Sequence, residues 1–242
     1  MKVHQFLKIG SSHRNFCEDF NFVEQFDKNH ILAGVFDGCS SGKDSHFASS
    51  FMAKIIRAEA QKAKSEIRDA NFLKNVLFRS LLKLKSLKSD LKLETNELLS
   101  TIILFFADIE TQTGEIVIFG DGFISVNGEK TIIDQDNTPQ YAAYFLEEIT
   151  DFESFENIFK NNAFYLKMNE LKDITISTDG ILSFAKTDMN EAEIKPEDYL
   201  ATNLFLNQNP AMFGRKINLL KSKYDLVNQD DLGIIRVIFE IN

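Results

Sequence analysis

Four short acidic segments, set far apart along the chain, constrain its fold more than any other feature. They read Arg14-Asn-Phe-Cys-Glu18-Asp19, Val35-Phe36-Asp37-Gly38, Ser177-Thr178-Asp179-Gly180 and Asn228-Gln229-Asp230-Asp231. Three of the four adjoin an apolar, β-branched run, and each such run reads as a strand that delivers its acid to a common edge. Carboxylates gathered this way repel one another and raise each other's pKa unless a hard cation neutralises them. Oxygen-only ligands favour Mg²⁺ or Mn²⁺ over zinc. The pattern points to a metal-dependent phosphoryl-transfer or hydrolytic enzyme.

Composition narrows the class further. With 242 residues the chain is long enough for one substantial domain, and a sandwich of this size need not be split. The net charge of −9 leaves no surplus of Lys and Arg to replace phosphate counterions, which argues against nucleic-acid binding. The Lys-rich stretch from Lys74 to Lys92 reads as the solvated face of a helix. No run approaches the ~18 apolar residues of a membrane span, and Met1–Gly10 lacks the apolar core of a secretory signal. A soluble, cytoplasmic monomer is therefore expected, with Cys17 and Cys39 reduced. The four histidines show no zinc-like spacing; His13, beside Arg14, reads as a surface or strand-end residue that could instead line a cleft, and His46 as an exposed residue in the capping region of the first helix. No Ser-His-Asp, Gly-x-Ser-x-Gly or Cys-x₅-Arg pattern supports covalent catalysis.

Periodicity supplies the elements. Strands are expected at 2–8, 20–26 and 30–36, then helices at 44–64, capped by Asp44 or Ser45, and 70–91. A meander follows at 97–107, 114–119, 122–126 and 130–133, with Asn127-Gly128 as a type I′ turn. Short helix is expected within 141–161, a buried strand at 173–177, partial helix across 182–226 and a last strand at 232–241. No regular βαβ alternation appears, so the α and β layers are segregated: an α+β chain.

Taken in order, the acidic segments resemble the type 2C (PPM-type) family of metal-dependent Ser/Thr protein phosphatases. The resemblance rests on Arg14, Glu18 and Asp19; on Asp37-Gly38; on Ser100-Thr101 before an apolar run; on Gly120-Asp121; on Asp179-Gly180; and on Asp230-Asp231. It spans nearly the whole chain and implies one type 2C-like phosphatase domain over 1–242. The fold implied is a four-layer α/β/β/α sandwich, two antiparallel sheets flanked by antiparallel helices. It also implies a binuclear Mn²⁺ or Mg²⁺ centre whose bound hydroxide hydrolyses phosphoserine and phosphothreonine in a phosphorylated protein substrate. By the same resemblance Asp37 bridges both metals, and Asp179 and Asp230 complete one of them. Glu18 and the Gly38 carbonyl serve the other, Asp19 orients water, and Arg14 grips the phosphate.

Two departures stand out. Cys39 follows the first Asp-Gly, where relatives often carry histidine. Ser183 stands four residues after Asp179, where many relatives carry an acid that shares a third metal with the Asp of Gly-Asp. The third site should therefore be weak or absent, leaving Asp121 either a ligand remnant or a structural residue. These departures keep open an alternative, a catalytically weak relative that binds and regulates a phosphoprotein or partner.

Overall fold

Ile31 to Phe36 offer no polar side chain to either face, so a strand made from them must be covered on both sides. The computed structural model describes residues 1–136, 138–186 and 194–239, and it buries this segment completely. The strands are β1 (Lys2–Lys8), β2 (Asp19–Gln25), β3 (His30–Asp37), β4 (Ile102–Asp108), β5 (Thr113–Phe119) and β6 (Gly122–Val126), followed by β7 (Glu129–Ile133), β8 (Phe164–Met168), β9 (Asp173–Ser177), β10 (Phe184–Lys186), β11 (Leu226–Asn228) and β12 (Leu232–Ile238). The helices are α1 (Ser45–Lys62), α2 (Phe72–Leu91), α3 (Phe152–Asn162), α4 (Pro196–Ala201) and α5 (Met212–Tyr224).

Two five-stranded antiparallel sheets result, ordered β2-β3-β4-β5-β8 and β1-β12-β9-β6-β7, with β10 and β11 as a separate ribbon. Alternation along each strand assigns its side chains to layers. Ile31, Ala33 and Val35 of β3 point between the sheets, where they meet Ile103, Ile118, Ile176 and Ile235. Leu32 and Phe36 point the other way, into a core closed by Met52 and Ile56 of α1, Leu77 and Leu84 of α2 and Phe155 of α3. Outside the second sheet, Phe123 and Ile234 pack on Met212, Phe213 and Leu220 of α5. A fully buried side chain of this size stabilises the fold by roughly 1.5–3 kcal/mol, so these layers, rather than helix propensity, hold the helices in place. The architecture is the expected α/β/β/α sandwich.

Several local expectations change. Strand β4 begins at Ile102, not near 97, because Thr95–Glu97 coils into a short 3₁₀ turn closed by reciprocal Glu94 and Glu97 hydrogen bonds. Strands β8, β10 and β11 carry no strong alternating pattern in sequence and form because neighbouring strands present partners. Asp44 precedes α1 in a left-handed conformation, φ 55°, and its side chain caps nothing. The lysine face of α2 is only partly solvated: Lys74 reaches Glu156, and Lys85 and Lys88 reach the Glu147–Ile149 segment, tying α2 to the chain that leads into α3. Asn127 and Gly128, with φ of 51° and 92°, form the expected β6–β7 hairpin turn. The end of the last expected strand, 240–241, lies outside the described residues.

Candidate functional site

Antiparallel pairing brings distant acids to one end of the sandwich. β2 begins where β3 ends, so Asp19 lies directly opposite Asp37. β9 ends where β12 begins, which sets Asp179 beside Asp230 and Asp231. The loop 9–18 crosses the same end. Its backbone is stitched to the end of β11 and the turn after it, Ser11 N–H donating to Asn228 O (3.1 Å) and Ser12 N–H to Gln229 O (2.9 Å).

Glycine permits the close crossings. A Cβ on Gly38 would stand 2.0 Å from the Ser45 carbonyl oxygen, and one on Gly180 1.6 Å from the Asp231 carbonyl oxygen. The Asp37 backbone is held by Thr101, whose Oγ1 accepts from Asp37 N–H (2.9 Å) and whose N–H donates to Asp37 O (2.8 Å). Gly38 N–H donates to Glu18 O (3.1 Å), linking the first two acidic segments.

Each acid has a distinct setting. Asp19 is buried, and its Oδ2 accepts the Thr178 hydroxyl at 2.8 Å. Asp231 is 1% exposed and accepts the N–H groups of Gly10 and Glu18, so its oxygens are spent on organising the 9–18 loop. Asp230 is about half exposed, and its Oδ1 accepts the N–H of Asp231 at 2.8 Å. Glu18 Oε2 accepts the Ser40 hydroxyl at 2.6 Å. Arg14 is exposed and has no ion-pair partner among the described residues.

Electrostatics mark the cluster as short of positive charge. Burial pushes the Asp19 pKa up to about 8, with hydrogen bonds from Thr178 and Asp37 opposing and the charges of Asp231 and Asp179 reinforcing. Burial, then the charges of Asp19 and Asp179, raises Asp37 well above the usual carboxylate range. Burial and Asp230 lift Asp179 to about 6. The available donors, carboxylates and the Gly38 carbonyl, suit a hard divalent ion. Among the described residues no three acidic, His or Cys side chains close on one point as a finished coordination shell. The acids gather at the cleft with their side chains still spread. A cavity of about 400 Å³ lies at the far end of β3, around His30, and contains none of these acids. The chemistry of the side chains, not cavity size, singles out the cleft.

Further residues near this end, some of them already marked in the sequence, have contacts that only the fold reveals. His13 is not a surface bystander: Nδ1 lies 2.9 Å from Asp231 Oδ2, and Nε2 lies 3.6 Å from Asp230 Oδ1 and 4.0 Å from Glu18 Oε2. Burial would lower its pKa, but the Asp231, Glu18 and Asp230 carboxylates outweigh it and raise it. His46 is no free capping residue either; its ring stacks on Phe16 at 4.3 Å. Ser183 Oγ donates to Gly180 O (2.8 Å) and accepts Asp230 N–H (3.1 Å), bracing the two acidic turns against each other. Asp121 accepts Gln135 N–H at 2.9 Å and ties down the turn after β7. Cys17 and Cys39 are free thiols, and Cys39 lies 3.1 Å from the Ser41 hydroxyl. Proximity of His13 to Arg14 was the one available signal; Ser183 could be valued only once the two turns met.

Comparison with known proteins follows the same line. Solved structures with this fold include the S. agalactiae serine/threonine phosphatase, with TM-score 0.65, 13% identity and 99% of each chain covered. A bacterial serine phosphatase variant gives TM-score 0.63 at 16% identity, again over 99% of each chain. RsbX, solved in complex with magnesium, gives 0.55 at 15% identity over 97% of this chain and 92% of its own. No curated protein matches at the level of sequence. The protein phosphatase 2C family model, however, matches residues 9–207, a span holding the first three acidic segments, and the chain belongs to that family.

Proposed function

We propose that the chain is a metal-dependent phosphoprotein phosphatase acting on phosphoserine and phosphothreonine, with residues 1–242 working as one domain and as a monomer. The observation that carries this reading is the convergence of Asp19, Asp37, Asp179 and Asp230 from four strand ends, each of the first three raised in pKa by burial and by its acidic neighbours. Such a cluster calls for cations. Asp37 would bridge two of them, Asp179 and Asp230 would hold one, and Glu18 with the Gly38 carbonyl would hold the other. Mn²⁺ or Mg²⁺ at these positions would neutralise the phosphate and supply hydroxide at neutral pH.

The chain's own groups do the rest. Arg14, with no acidic partner among the described residues, can present its planar fork to two phosphate oxygens. Asp19, its carboxylate fixed by the Thr178 hydroxyl, orients the attacking water. With Ser183 committed to bracing and Asp121 to Gln135, a third cation would find few free donors. Two free cysteines and the absence, among the described residues, of any helix long and apolar enough to cross a membrane fit a cytoplasmic setting.

Phosphate release from an aryl phosphate and from a phosphothreonine peptide, with and without Mn²⁺ and beside Asp37→Asn, tests the reading. Turnover that needs metal and disappears in the variant is expected. A folded, metal-loaded chain that turns over neither substrate would overturn it in favour of the partner-binding relative that Cys39, in the histidine position, kept open.

A further inference from the structure

We propose that His13 is a metal ligand, giving this centre a nitrogen donor beside its oxygens. The inference rests on the phosphatase reading and adds a residue from this chain's own sequence to the site. Three observations carry it.

The first is placement. His13 lies on the 9–18 loop, and that loop is fastened to the turn between β11 and β12 that bears Asp230 by the Ser11–Asn228 and Ser12–Gln229 backbone hydrogen bonds. A Cβ on Gly10 would stand 2.2 Å from the Asp230 carbonyl carbon, so the two backbones are in contact there. His13 N–H closes the turn onto Gly10 O at 3.3 Å. The imidazole is thus built into the site rather than swinging over it.

Direction supplies the second. Nε2 faces two acids proposed as ligands, 3.6 Å from Asp230 Oδ1 and 4.0 Å from Glu18 Oε2. Adjacent donors to one octahedral ion at bonds of about 2.1 Å lie roughly 3 Å apart, so Nε2 would close on Asp230 Oδ1 by about half an ångström to share the ion proposed for Asp179 and Asp230.

The third is the partner behind the ring. Nδ1, a buried nitrogen with no formed hydrogen bond, stands 2.9 Å from Asp231 Oδ2. A small turn of the ring would complete that contact. A carboxylate holding Nδ1–H while Nε2 faces a metal is the usual outer support of a histidine ligand. Asp231, spent on the loop backbone and on His13, then acts through the ring as its positioning residue.

An added imidazole should alter metal choice. Nitrogen donors favour later first-row metals over Mg²⁺, which prefers oxygen and water. His13→Gln should weaken Co²⁺ on the order of tenfold while changing Mg²⁺ by less than about twofold.

The test uses calorimetric titration of the full chain and of His13→Gln with Co²⁺ and Mg²⁺. Alongside it, the Mn²⁺-loaded wild-type chain, labelled with ¹⁵N-histidine, is studied by pulsed electron paramagnetic resonance. Expected are a selective loss of Co²⁺ affinity and a directly bonded ¹⁵N coupling that the variant lacks. If His13→Gln does not fold, the wild-type coupling still decides. Binding with no nitrogen coupling and an unchanged Co²⁺/Mg²⁺ ratio would overturn the His13 assignment and leave the phosphatase reading standing. No binding of any of the three metals to the folded wild-type chain would overturn both.

Discussion

Among single residues, Arg14 is the most exposed to test, because its proposed role and its structural role separate cleanly. It is a surface residue with no ion-pair partner among the described residues, so removing it should leave stability unchanged. Charge-assisted hydrogen bonds contribute about 1.5–3 kcal/mol. Arg14→Ala should therefore lower kcat/KM for a phosphopeptide by roughly 10–100-fold, at an unaltered melting temperature. Arg14→Lys should recover only part, since a point charge cannot imitate the fork. Equal activity in all three would remove Arg14 from the phosphate site. That Asp19 and Asp37 would meet at one end of the sandwich was legible from residue order, because strand-forming runs adjoin both. The contacts of His13 and Ser183 were not, since His13 meets Asp231, more than two hundred residues away, and Ser183 meets Asp230, 47 residues away.

At the scale of elements, the site depends on how closely two turns cross. The 179–182 turn runs against the 228–231 segment so tightly that Gly180 has no room for a side chain. Backbone cannot yield as a flexible side chain can. Gly180→Ala should cost about 3 kcal/mol or more, read as a lower urea midpoint. Gly128→Ala meets nothing within 4 Å and pays only for its positive φ of 92°, about 1 kcal/mol. Similar losses in the two variants would show that the crossing is looser than described. Most elements were readable because apolar period marks them, as in α2, β3 and the β6–β7 hairpin. The short strands β8, β10 and β11 were not, because three to five residues carry too little periodicity and pairing decides them.

The whole molecule carries an electrostatic load that its fold imposes on itself. Asp19 titrates at about 8 and Asp179 at about 6, both above the ordinary 3.8 because the native state buries them beside other acids. A pKa raised on folding contributes stability at pH below the ordinary value, and that contribution is lost as pH rises through the raised one. The chelated, metal-free chain should thus lose stability between about pH 5 and pH 9, by an amount on the order of a few kcal/mol. Asp37→Asn, which removes one buried charge, should flatten the loss, and Mn²⁺ should reverse it. Urea midpoints across this range in chelator check the point; a midpoint independent of pH would contradict it. The sequence by itself determined the layered α+β plan and the list of acids, because side-chain period and local residue order need no knowledge of distant neighbours. Only tertiary structure decided which acids keep free oxygens. Asp230 is about half exposed while Asp231, its immediate neighbour, is consumed by the backbone of a loop more than two hundred residues earlier. Burial and hydrogen-bond partners set that difference, and both arise from contacts between segments that the chain brings together only on folding.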